Sequence, residues 1–233
     1  MMANKDDAHW MVEKYPALAA AGDAVAGTIE VTAGYSQLSN LFVILENAIS
    51  PPADAVVFAG SFRIRIEQRT RCAVSRLPAV YVDDVDPIPD RHFLPDDKSA
   101  CLCSPFEEDE FLKPDLQFRP FLEQLIIPFL YGQLYYSSKG RWPWKEYAHG
   151  VTGLLEAYSL FGGESRAAEC LQKLARYPAW PDIKRALGQK PYMKGHIRCF
   201  CEKKDKIRRC HPDALAGLRR LQGDIKALGI ASP

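Results

Sequence analysis

A chain of 233 residues, 47% hydrophobic and 25% charged, has the balance of a globular protein with one domain and an appendage, or two small domains. Its formal net charge of +1 supplies no global field that would favour nucleic acid or a membrane. No apolar run reaches the ~18–20 residues of a membrane span, and no signal-peptide core follows the polar start, Met1 to Asp7.

The expected setting is therefore the cytoplasm. There the seven cysteines are ligands, nucleophiles or core residues rather than disulfides.

Residues 5–25 are Ala-rich and predict a helix. The period then changes. Gly27 to Val31 and Leu41 to Leu45 are strand candidates, the second equally readable as helix. Pro51-Pro52 marks a turn. Phe62, Ile64 and Ile66 alternate with Arg63, Arg65 and Glu67, the pattern of a half-buried strand, and Ala79 to Val82 is another. From Pro87 to Pro114 the chain is irregular, with five prolines among many acids. A stretch of that kind inside a domain is usually functional.

Helices follow. Phe121, Leu122, Leu125, Ile126, Phe129 and Leu130 recur at helical spacing, with Pro128 expected to kink or break the helix. Val151, Leu154, Leu155, Tyr158 and Phe161 form a second apolar face that ends at Gly162-Gly163. Ala167 to Tyr177 and the Leu215–Leu228 stripe complete the set. The order of helix, strands, long loop and helices predicts an α+β fold. The natural division falls after Gly162, giving domains 1–162 and 163–233.

Two segments carry chemistry. The first is Asp90-Arg-His-Phe-Leu-Pro-Asp-Asp-Lys-Ser-Ala-Cys-Leu-Cys-Ser-Pro105, which holds His92 and Cys101 in one loop. A loop thiol whose thiolate is stabilised is a nucleophile that a large partner can reach. The plainer alternative is a small buried hydrophobe. Cys103 is expected to pack, and Trp142 and Trp144 to be core, with His149 bracing the helices against the loop.

Leu77-Pro-Ala-Val80, Asp90-Arg-His92, Ser99-Ala-Cys-Leu102 and Trp142-Pro-Trp144 with His149-Gly150 together resemble the ubiquitin-conjugating fold of bacterial defence operons, in particular the conjugating proteins of CBASS anti-phage operons. The resemblance covers roughly residues 27–160. It implies an antiparallel sheet with flanking helices and a thioester at Cys101. It further implies an activating enzyme that loads Cys101, and a ubiquitin-like or nucleotide-cyclase protein as partner. His92 joins Cys101 as a candidate catalytic residue, read first as a loop-fixing hydrogen-bond residue and second as a general base.

The eukaryotic His-Pro-Asn motif is absent, since Phe93 and Leu94 follow His92. The oxyanion donor then falls to backbone N–H groups, Lys98 or Ser99. Asp96 and Asp97 are candidates to accept a proton from an attacking lysine, or else solvated turn acids. A scaffold that keeps the fold without the chemistry is the main alternative. A Cys–His hydrolase is the weaker one, because it needs an orienting third group.

The second segment contains Cys199, Cys201, Cys210 and His211. Four soft or borderline ligands match a closed tetrahedral site, so structural zinc is expected. The pattern C-x-C-x(8)-C-H resembles the SEC-C zinc knuckle, with Glu202-Lys-Lys where many members have Gly-Ser-Gly. Between Lys194 and Cys210 stand seven Lys or Arg against two acids, and Phe200 is the lone aromatic. Such a face suits solvent or an acidic partner better than nucleic acid.

Overall fold

The computed structural model describes residues 5–45, 50–69, 75–112, 116–189 and 194–230; Cys72 and Pro114 lie outside them. The chain divides into two compact units, Met1–Cys103 with Glu108–Lys145, and Ser104–Glu107 with Glu146–Pro233.

In the first unit, helix α1 (Lys5–Lys14) stops well short of the expected residue 25. Pro16 bars a continued helix and biases Tyr15 away from helical angles. The alanines beyond it form β1 (Leu18–Ala21), which turns through Gly22 (φ 62°) into β2 (Ala24–Ser36). Helical propensity of a few tenths of a kcal/mol per alanine yields here to strand pairing. β3 (Leu41–Ile44) settles the ambiguous Leu41–Leu45 segment as strand.

β4 (Val56–Glu67) buries Phe62, Ile64 and Ile66 and exposes Arg63 and Arg65, as the alternation predicts. β5 (Ala79–Val82) follows. The strands are antiparallel in the order β1-β2-β4-β5. β3 joins the far end of β2, so β1 and β3 share the edge opposite β4.

After the short helix α2 (Glu108–Phe111) comes α3 (Phe118–Phe121), then a π-helical turn (Leu122–Ile126), then α4 (Ile127–Lys139). Pro128 is the cause of that widening. It cannot donate to Gln124, and its ring needs room at that carbonyl. The expected break is thus a π-bulge in a continuous helix. Phe121, Leu122, Ile126, Leu130 and Tyr131 bury themselves on the sheet, and the Tyr131 hydroxyl donates to the Val56 carbonyl at 2.7 Å.

The second unit is helical: α5 (Gly150–Phe161), α6 (Glu164–Leu174), α7 (Trp180–Leu187), α8 (Ile207–Cys210) and α9 (Pro212–Ala227). α9 lies so close to α5 that a Cβ on Gly217 would sit 1.8 Å from the Leu155 carbonyl oxygen. Leu154, Leu155 and Tyr158 of α5 share a core with Cys170 and Leu174 of α6 and Leu218 and Leu221 of α9. This is why the division falls at 145/146 rather than after Gly162: α5 is apolar on the face that α9 and α6 need. Gly162 and Gly163 are a sharp turn inside the unit. Phe106 also belongs to it, its ring edge-on to Tyr158 at 5.5 Å.

Among the described residues no helix is long and apolar enough to cross a membrane.

Candidate functional site

The Cys101 loop is a small hairpin. The Cys101 N–H donates to the His92 carbonyl at 2.7 Å, the Leu94 N–H to the Ser99 carbonyl at 2.8 Å, and Phe93 pairs with Ala100. A further bond, from the Ala100 N–H to the Val80 carbonyl at 2.7 Å, ties the hairpin to the edge of β5. Phe93 and Ala100 are buried beneath, whereas Cys101 is exposed. The sequence candidates His92 and Cys101 are therefore cross-strand neighbours, joined through the main chain. Cys103 is half-buried and packs against the core of this unit, as expected.

His92 takes a left-handed backbone (φ 58°), and its ring lies against Trp142 with centroids 4.5 Å apart. Trp142 also meets Tyr136, while Trp144 stacks on Tyr131. Next to His92, Arg91 donates to Gln133 and Ser137 of α4, and Gln133 returns a bond to the Arg91 carbonyl at 2.9 Å. The histidine is thus fixed from the helix side. His149 lies in the second unit at the start of α5, where its carbonyl accepts the Thr152 hydroxyl.

The hairpin tip is held by charge. Asp97 accepts from the Ser99 N–H at 3.0 Å, from the Ser99 hydroxyl at 2.7 Å and from Arg69. Burial works against its charged form, but the Ser99 hydroxyl and N–H, with the Arg69 guanidinium, outweigh that and hold the carboxyl below its ordinary value. Asp97 is accordingly a fastener of the loop rather than a turn acid directed at solvent. Ser99 is fully buried, donating to Asp97 and accepting from Arg69 at 2.8 Å, so it is spent as an oxyanion donor. Arg69 and Gln133 escape sequence reasoning, and Arg91 enters it only as part of Asp90-Arg-His92. Their side-chain partners are 28 to 46 residues away, and no local pattern marks the pairing.

In the second unit, Arg198 pairs with Lys206 and the Cys199 N–H donates to the Asp205 carbonyl at 2.6 Å, closing a turn that carries Cys199 and Cys201. Lys204 takes a left-handed backbone there (φ 48°), a conformation that glycine adopts most readily. Buried Ile207 anchors α8, which delivers Cys210, and His211 stands at the entrance to α9.

The four ligand atoms all lie within 4.8 Å of one another, with Cys199 Sγ 3.1 Å from His211 Nδ1 and Cys201 Sγ 3.4 Å from Cys210 Sγ. A tetrahedral ion with bonds of about 2.3 Å to sulfur needs sulfurs about 3.8 Å apart, within that span. Burial pushes the Cys199 thiol up to about 12, and the hydrogen bond with Cys201 pushes Cys210 up. Cys201 is pulled down, its partial burial outweighed by hydrogen bonds from Cys210, Cys199 and the backbone N–H groups at Lys203 and Lys204. A cation is what would let all three sulfurs ionise together. The cluster is a candidate metal centre supplied entirely by protein ligands.

No protein-family model matches the chain, and comparison with curated proteins and with solved structures gives no match.

Proposed function

We propose that the first unit is a ubiquitin-conjugating-like domain. In this reading Cys101 accepts an acyl group as a thioester and passes it to an amine. The observation that carries this reading is the exposed Cys101 at the end of a hairpin bonded to both the His92 carbonyl and the sheet edge. A thiolate attacks an activated acyl group and leaves readily when an amine displaces it, so a rigid, accessible thiol suits both half-reactions.

The order of elements supports the same reading. A helix, an antiparallel sheet and the histidine-to-cysteine loop precede a long helix. His92 acts as an orienting residue rather than a base, its carbonyl engaged with Cys101 and its ring with Trp142. An activating enzyme would load Cys101. The acyl group would come from the C-terminus of a ubiquitin-like protein or another chain, and the protein acted on would be a nucleotide cyclase, in a cytoplasmic anti-phage setting.

Zinc is the ion proposed for Cys199, Cys201, Cys210 and His211. Three sulfurs and one imidazole nitrogen are a donor set typical of structural zinc. When bound, it would neutralise the thiolates and pin the Cys199–Cys201 turn to α9. With no open coordination position it would take no part in acyl transfer.

The test is co-expression with candidate activating and modifier proteins, comparing wild type with Cys101→Ser on non-reducing gels. A thiol-labile adduct in wild type and a thiol-resistant ester in the variant are expected. An adduct that persists in Cys101→Ala would sink the assignment. Partner binding with no adduct in any combination would favour the scaffold, with the zinc segment holding the partner.

A further inference from the structure

We propose that Arg69 is a positioning residue for Cys101: its guanidinium locks the hairpin whose final rung carries the thiol. This rests on the reading of Cys101 as the acyl carrier.

The Arg69 side chain is 6% exposed, and its nitrogens are divided among three acceptors in two segments. Nε donates to the Leu77 carbonyl at 3.0 Å, just ahead of β5, Nη2 donates to Ser99 Oγ at 2.8 Å, and Nη1 pairs with Asp97. Only a planar fork reaches three acceptors in fixed directions; the single ammonium of lysine does not reproduce it. A buried ion pair is a poor source of stability, because apolar side chains of similar size often serve as well. What such a pair supplies here is geometry. Ser99 is two residues from Cys101, and its own carbonyl and hydroxyl are both engaged within the hairpin.

A second observation is independent of the ion pair. His92 (φ 58°) and Lys98 (φ 62°) both adopt left-handed backbones, one at the base of the hairpin and one at its tip. Non-glycine residues stay in that region only where their surroundings over-determine them, and such residues gather at functional sites. Here the surroundings are Arg69 and Asp97 at the tip, with Arg91, Gln133 and Trp142 at the base. The outcome is a thiol whose main chain is fixed before any partner arrives. That is the condition under which an encounter becomes a productive approach.

The experiment uses the full chain and a small acyl donor, the glycyl thioester of 2-mercaptoethanesulfonate. Cys101 Sγ attacks the donor carbonyl. The new carbon–sulfur bond forms as the old one breaks, and mercaptoethanesulfonate leaves, taking up the proton that the Cys101 thiol gave to solvent. Peptide mapping locates the acyl group, and amide hydrogen exchange is followed in parallel.

In Arg69→Gln the maximal loading rate is expected to fall at least about tenfold with the half-saturating donor concentration unchanged. Arg69→Lys is expected to fall between. Exchange at residues 93–101 should quicken while β2 and β4 stay protected. If Arg69→Gln does not fold, Ser99→Ala removes the Nη2 acceptor and carries the same expectations. A variant that folds and loads at the wild-type rate, or exchanges at the wild-type rate over the hairpin, overturns this proposal alone. A wild type that takes up no acyl group at Cys101 overturns the Cys101 reading and the positioning role together.

Discussion

The imidazole of His92 rests against the indole of Trp142, with ring centroids 4.5 Å apart and planes inclined at 58°. Trp142 in turn sits on Gly132 of α4, where a Cβ would come within 3.1 Å of the indole. The helix thereby sets where the histidine lies, and through its carbonyl where Cys101 lies. Trp142→Ala should cost about 2 kcal/mol, less than the 3–5 of a fully buried tryptophan because this one is half-exposed. Denaturant unfolding gives the stability, and hydrogen exchange at the Cys101 amide should quicken. An unchanged amide would mean that the ring contact does not hold the loop.

Gly217→Ala sets two effects against each other. Alanine gains up to about 1 kcal/mol over glycine within a helix. The added methyl would meet the Leu155 carbonyl oxygen at 1.8 Å, and that backbone atom has no rotamer by which to move aside. Overpacking of this kind costs about 1–3 kcal/mol and occasionally more. A net loss of about 2 kcal/mol is expected, confined to the second unit. A variant as stable as wild type would show that α9 can slide along α5.

Asp97 makes the loop sensitive to acid. Its folded carboxyl lies below its ordinary value, so its contribution is complete above the unfolded pKa of about 3.9 and is lost as pH falls through the lower folded value. Asp97→Asn should therefore be less stable than wild type at neutral pH, and the two should converge in strong acid. Unfolding curves at several pH values check this. A difference that stayed constant with pH would show that the carboxylate charge is not what matters.

Metal analysis of freshly reduced protein should find about one zinc per chain. Chelation should melt the helical unit while leaving the β-sheet signal in place. Cys210→Ala removes a ligand outright, so its zinc affinity should fall by more than the roughly 100-fold that loss of an outer-sphere partner can cause. Zinc-free wild type with the same melting curve would remove the metal from the account.

The sequence was legible where one signal was periodic or chemical. The alternation of Phe62, Ile64 and Ile66 gave β4, and the four metal-ligand candidates gave a cluster that the fold does bring together. It misled where two signals competed. Alanine content argued for a helix through residue 25, but Pro16 and Gly22 punctuate that stretch and strand pairing takes over. Helix α7 was missed although Pro181 in its first turn and the Ile183, Ala186 and Leu187 stripe announce it. The Arg69–Asp97–Ser99 lock could not be read at all. It joins residues 28 to 30 positions apart through side chains, and nothing local distinguishes Arg69 from the strand arginines before it.

Ser104–Glu107 belongs to the helical unit although the chain on either side belongs to the sheet unit. During synthesis Phe106 therefore leaves the ribosome well before α5, α6 and α9 exist to cover it. A chain stopped at Lys145 would lack the α5, α6 and α9 residues that share a core with the Phe106 ring, so the sheet unit cannot be released as a clean fragment by a single cut. The two units are interleaved in the order of translation, and the gene divides them less simply than the fold does.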